Sequence, residues 1–111
     1  MKTYTVKYSN EAIDDLIVIY NYIAYEQLEP NNAANLINAI RKQVRSLKEM
    51  PLRNPSVCWS PWDKLGMRHF SIKKHIVFYL VDEEQSNVIV VRILSCRMNI
   101  PSILKDKTKN L

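Results

Sequence analysis

The sequence predicts an α+β domain in the order β-α-α-β-β-β, with a helical hairpin packed on one face of an antiparallel sheet. Three observations predict it. A short alternating segment opens the chain, two amphipathic helical patterns follow, and three β-type runs joined by tight polar turns fill the second half. In the opening segment Tyr4, Val6 and Tyr8 alternate with Thr3, Thr5 and Lys7, the two-residue period of a half-buried strand. Ser9 then offers a hydroxyl oxygen to cap a helix, with Glu11, Asp14 and Asp15 near its positive end. Ile13, Leu16, Ile17, Tyr20, Ile23 and Ala24 recur at three- and four-residue steps and are expected to be core.

The pattern breaks around Glu26–Asn32, and Pro30 suits the first turn of a second helix, where its missing N–H costs nothing. Ala33, Leu36, Ile37, Ile40, Val44 and Leu47 form the second apolar stripe, and Pro51 stops it. Arg41, Lys42, Arg45 and Lys48 lie largely off that stripe, on a face expected to be solvated. Pro51–Lys64 carries three prolines together with Trp59 and Trp62, so it reads as a structured loop whose aromatic rings cover the core. Met67–Ile72 and His75–Val81 flank Lys73-Lys74, the spacing of a tight hairpin, although lysine is poorly suited to the positive φ such turns prefer. Asn87–Ser95 is the last β run. Short turns imply antiparallel neighbours, so the sheet's second face is expected to stay partly open and rimmed by basic residues.

Composition excludes several chemistries. The chain has 111 residues, enough for one compact domain, assigned to residues 1–104 with a polar tail at 105–111. A single glycine, Gly66, excludes a Walker-type phosphate loop and a dinucleotide fingerprint, which need several. Two histidines and two cysteines, none at metal-ligand spacing, make a zinc site improbable, and no cofactor is expected. Cys58 and Cys96 are expected to be reduced thiols. The longest apolar run, Ile76–Val81, is far too short to span a bilayer, and the first residues lack a signal-peptide core, so a cytoplasmic protein without membrane partners is expected.

Charge is unevenly spread. Overall the chain is +5, yet residues 1–35 hold two lysines against five carboxylates, and the remainder carries a net +8. A basic body behind an acidic first helix points to a polyanionic or acidic partner, against the plainer alternative of ordinary solvated lysines. Arg92, set among Val88-Ile89-Val90-Val91 and Ile93-Leu94, has two readings. It either faces the open basic surface or is buried against a carboxylate such as Asp14, Asp15 or Asp82, because an unpaired buried guanidinium costs several kcal/mol.

Taken in order, Tyr8-Ser9-Asn10-Glu11-Ala12, Leu47 to Pro51, Gly66-Met67-Arg68, Val77-Phe78-Tyr79-Leu80-Val81-Asp82-Glu83 and Arg92-Ile93-Leu94-Ser95-Cys96-Arg97 resemble the RelE/ParE family of toxins from bacterial type II toxin–antitoxin systems. The likeness spans roughly residues 3–104. It implies a small toxin neutralised by a cognate acidic antitoxin, attacking either the ribosome and its mRNA or DNA gyrase. Under the RelE-like reading, ribosome-dependent mRNA cleavage without a metal, Arg97, His75 and Arg92 are the candidate catalytic residues, with Arg68, Lys73 and Lys74 as nucleic-acid-binding ones. Such a cleavage needs a proton acceptor for the attacking 2′-hydroxyl, a cation for the phosphate and a proton donor for the leaving oxygen. Arg97 matches a family arginine near the end of the last strand, and His75 lies close to where that lineage places another basic residue.

Ser95 stands where many relatives carry Tyr or His, Asn99 where an acid is frequent, and no Tyr or His follows Arg97. These departures favour binding over hydrolysis and keep the alternative open, a ParE-like gyrase inhibitor without nuclease activity. A non-toxic basic nucleic-acid-binding module is the reading from a different class.

Overall fold

The computed structural model describes residues 2–58 and 62–95. Strand β1 spans Thr5–Tyr8, helix α1 Asn10–Asn21 continuing into a π-helical turn at Tyr22–Glu26, and helix α2 Pro30–Arg45 continuing into a 3-10 turn at Ser46–Lys48. A 3-10 turn at Pro51–Arg53 and a one-turn helix α3 at Trp62–Leu65 precede β2 (Arg68–Ile72), β3 (His75–Asp82) and β4 (Asn87–Ser95). The segment expected to be loop throughout therefore holds two short helical turns. Arg97, Trp59, Cys96 and Asn99 lie outside the described residues.

The sheet runs β1-β4-β3-β2. The two hairpins are antiparallel as expected, but β1 joins β4 in parallel, pairing Val6 with Val88 and Tyr8 with Val90. The reason is the path of the helices. α1 carries on in the direction of β1, alongside the far half of β4, and α2 brings the chain back to where β1 began, so that the Tyr4 amide donates to Lys48 O at 2.8 Å. β2 then starts at that same end, and two reversals leave β4 running with β1. Short-turn reasoning governs β2 to β4; it does not reach β1, whose connection is a whole helical hairpin.

Ser9 caps α1 as its sequence position predicts. Its Oγ accepts from the Ala12 amide at 3.0 Å and donates to Val91 O at 2.8 Å. Pro30 is the first residue of α2. Lys73 and Lys74 both take positive φ (45° and 67°), the conformation of a two-residue hairpin turn, despite carrying side chains.

Two apolar clusters flank the sheet. On one face Ala12, Leu36, Ile40, Val44 and Leu47 pack against Val77, Tyr79, Val88, Val90 and Ile93. On the other, Val57, Trp62 and Met67 cover Phe78, Val91 and Leu94. The second face is thus more covered than the partly open surface expected from sequence, because the segment after α2 folds across it, although Ile89 stays exposed. A β-bulge opposite Phe78 and Tyr79 allows β4 to serve both faces: Tyr79 pairs with Val90 and Phe78 with Arg92, leaving Val91 as the extra residue. The stripe of α2 is buried as expected, with Ile37 half-buried. In α1 the buried face is instead Ala12 with half-buried Leu16, Ile19 and Ile23, while Ile13 and Ile17 are exposed. The helix carries more apolar surface than its core face uses, so spacing alone could not choose between neighbouring stripes.

Tyr79 ties the loop to the sheet. Its ring is fully buried, its hydroxyl donates to Pro51 O at 2.6 Å, and the Asn54 side-chain amide donates to that hydroxyl at 3.1 Å. Burial raises its pKa, against the hydrogen bond from Asn54 and the positive charges of Arg68 and Arg53. Burial also raises the pKa of Tyr8, opposed chiefly by Arg41 and Arg45. In the unfolded chain both phenols titrate near 10.0. Above that pH the unfolded state has released protons that the folded state keeps, so stability falls as pH rises through the raised values. Chemical denaturation followed from pH 8 to pH 11 is expected to show this loss. Tyr79→Phe should lessen the slope while lowering stability at pH 8 by about 1–2 kcal/mol through the orphaned Pro51 carbonyl. An unchanged slope in that variant would show that Tyr79 does not contribute to the alkaline loss.

Candidate functional site

The β2–β3 turn and the end of α1 enclose a cleft of about 430 Å³, lined by Lys73, Lys74, His75 and Ser95 on the sheet side. Val18, Ile19, Tyr22, Ile23 and Gln27 form its helical wall. The turn presents both lysines to solvent, and neither is ion-paired among the described residues. His75 begins β3 directly opposite Ser95, the last residue of β4, and its Nδ1 lies 3.0 Å from Lys73 O. Three of the residues predicted from sequence, Lys73, Lys74 and His75, thus share one corner of the sheet, and the register sets Ser95 beside them.

Arg92 and Arg68 do not join them. The Arg92 guanidinium grips Asp15 of α1 with two hydrogen bonds, Nε to Oδ2 at 2.7 Å and Nη2 to Oδ1 at 2.9 Å, and the same carboxylate accepts from the Ile93 amide at 2.9 Å. The hydrogen bonds to Asp15 raise the Arg92 pKa above its ordinary value, against the opposing effect of burial. Of the two readings open from sequence, the geometry matches the carboxylate pairing. The arrangement also closes an edge: β1 accompanies β4 only as far as Val90, and beyond it Ser9 and Asp15 take up the backbone groups of Val91 and Ile93. Arg68 starts β2 at the end away from the turn, roughly 16 Å along the strand from Lys73 at ~3.3 Å per residue. There its Nη1 donates to Asn54 O at 2.6 Å, so it braces the loop under Tyr79.

A second depression, about 450 Å³, lies between α1 and α2 and is lined by Tyr8, Ile13, Leu16, Ile17, Tyr20 and Ile37 with Arg41 at its edge. Exposed apolar residues continue beyond it along α1 as Val18, Tyr22, Tyr25 and Leu28. Val18 and Tyr22 were the sequence signal for the wall of the first cleft. They are apolar yet fall outside the stripe that packs on the sheet, and residues of that kind mark interaction surfaces when they gather in a patch.

A helical hairpin on one face of a small mixed sheet, an acidic first helix and a basic corner at the β2–β3 turn together describe a small α+β domain with a charged surface cleft. The sequence profile described as the ParE toxin of type II toxin–antitoxin system, parDE, matches residues 6–100, and the chain belongs to this family. Solved structures agree in fold. A chromosomal ParDE toxin–antitoxin system from P. aeruginosa superposes with a TM-score of 0.66 at 19% identity, over 86% of this chain and 98% of that one. A mutant of the E. coli toxin RelE in its free state gives 0.67 at 11% identity, over 98% of both chains. The RelBE2 toxin–antitoxin complex of Mycobacterium tuberculosis gives 0.58 at 21% identity, over 84% and 98%. A comparison with curated protein sequences gives no significant match. Among the described residues no helix is long and apolar enough to cross a membrane.

Proposed function

We propose that this toxin arrests growth by binding and inhibiting DNA gyrase, the ParE-like activity, and does not hydrolyse RNA. The observation that carries this reading is the Asp15–Arg92 pair. It commits the one arginine of β4's described length to an internal carboxylate, and the cleft at the β2–β3 turn, which Arg92 does not line, has His75 as its only imidazole among the described residues. Cleavage by an attacking 2′-hydroxyl calls for separate groups to take up one proton and deliver another, with a cation on the phosphate between them. Position 95, opposite His75, supplies a hydroxyl where a second imidazole would be needed. The family match to ParE supports the same conclusion.

The nuclease reading retains one observation in its favour, the two lysines beside His75, which offer phosphate binding next to a proton-transfer group. Purified toxin tested in parallel on gyrase supercoiling and on ribosome-programmed mRNA separates the two. Blocked supercoiling with intact mRNA is the expected outcome, together with growth arrest on expression that co-expressed antitoxin relieves. Cut mRNA with normal supercoiling would overturn the proposal, and Arg97→Ala would then be the variant to examine for lost cleavage.

A further inference from the structure

We infer that the cleft at the β2–β3 turn is a docking site for an acidic segment of the antitoxin, one that seats an apolar side chain on Val18 and Ile19 and sets carboxylates against Lys73 and Lys74. The inference rests on the chain's membership of a toxin–antitoxin family and is independent of which target the toxin attacks. Three features of the cleft support it. Its helical wall is largely apolar, with Val18 exposed at 60% beside half-buried Ile19 and Ile23, and its volume of about 430 Å³ accommodates side chains of a peptide. Its rim carries two adjacent ammonium groups with no carboxylate partner among the described residues. Both lysines are held at positive φ in a two-residue turn, a conformation that side-chain-bearing residues adopt at a cost, so the two charges stay displayed together at a fixed corner.

Nucleic acid fits the same corner less well. A phosphate backbone is held by a track of several cations. Here the described cations stop at the turn, because Arg92 is neutralised by Asp15 and Arg68 braces Asn54 at the other end of β2. A short acidic, apolar-bearing segment needs no such track, since two lysines and an aliphatic wall meet its chemistry in one place.

The test uses the full toxin and the antitoxin that neutralises it on co-expression. Complex affinity is measured for the parent, for Lys73→Glu combined with Lys74→Glu, for Val18→Asp, and for Lys42→Glu on the exposed face of α2, with circular dichroism confirming that each variant is folded. Reversing both lysines is expected to weaken the complex by about tenfold or more and to flatten its salt dependence, whereas a distant rim charge changes affinity by only about twofold. Val18→Asp should weaken it comparably, since a carboxylate on the aliphatic wall would oppose an acidic guest. In the unsubstituted toxin, antitoxin should protect Lys73 and Lys74 from amine acetylation. Equal losses from Lys42→Glu and the double reversal would reduce the effect to net charge and overturn the inference, as would undiminished affinity in the double reversal. Protection of these two lysines by a single-stranded RNA or a DNA duplex, but not by antitoxin, would assign the site to nucleic acid instead. Supercoiling and mRNA assays on the parent protein are read separately, so a failed gyrase reading would leave this result standing, and the reverse.

Discussion

Asp15→Ala is expected to destabilise the fold by about 3 kcal/mol or more, one of the two largest effects of any single side chain outside the helix-facing core. The substitution strands two groups at once. Arg92, only 20% exposed in its side chain, loses both acceptors of its fork, and the Ile93 amide loses its partner on the stretch of β4 that β1 does not reach. A part-buried guanidinium without a partner and an unsatisfied strand amide each carry a desolvation cost. Arg92→Ala should cost less, about 2 kcal/mol, because the carboxylate keeps its hydrogen bond from the Ile93 amide and only one group loses its partner. Asp15→Asn preserves an acceptor for that amide, so combining it with Arg92→Leu should give a loss smaller than the two single losses added together. The expected coupling between the sites is ~1–3 kcal/mol. Urea denaturation of the four proteins measures the cycle. Additive losses would mean that the ion pair contributes nothing and that Arg92 is held by packing, which would return its guanidinium to the candidates for target contact.

Trp62→Ala is the second large effect, about 3–5 kcal/mol. Trp62 is 2% exposed and sits in a one-turn helix whose four residues cannot hold themselves in that conformation. Its ring, with Val57 and Met67, is what covers Phe78, Val91 and Leu94 on the face away from α1 and α2. Removing it leaves a cavity that the surrounding loop can refill only in part. Against the ~5–15 kcal/mol typical of a domain, that loss is a large fraction of the total. Trp62→Phe should cost far less, since it keeps most of the buried area and discards an indole N–H that has no hydrogen-bond partner among the described residues. Thermal unfolding checks both variants, and binding of a hydrophobic dye by folded Trp62→Ala would report the newly exposed sheet face. A loss below about 1 kcal/mol in Trp62→Ala would mean that the second cluster is peripheral and the face effectively open.

These two residues mark where sequence reasoning stopped. The proline-rich segment and Trp62 were legible as core-covering structure, but not as the cover over Phe78, Val91 and Leu94 on the second sheet face. Which face a loop crosses depends on where α2 delivers the chain. Arg92 was legible as a residue with two fates, and the choice among Asp14, Asp15 and Asp82 required the angle at which α1 crosses β4. The lysine turn was readable from its spacing even though its residues disfavour it, because two flanking β runs dictate a hairpin more strongly than two residues oppose one. The site itself was half visible. Lys73, Lys74 and His75 are neighbours in sequence and were singled out together, whereas their union with Ser95 and with Val18 and Tyr22 of α1 is made by strand register and helix packing.

The amino-acid order alone determined the identity and sequence of the four strands and the two long helices, the capping of α1 by Ser9, the burial of the α2 stripe and the basic character of the chain's second part. All of these follow from spacings of a few residues, where local sterics, capping and periodic burial dominate. Only the tertiary structure decided that β1 runs parallel to β4, that Val57, Trp62 and Met67 cover part of the second sheet face, that Asp15 rather than another carboxylate takes Arg92, and that Ile13 and Ile17 face outward. Those outcomes depend on contacts between residues up to about eighty positions apart, and apolar burial, being non-directional, is satisfied by several such arrangements until packing selects one.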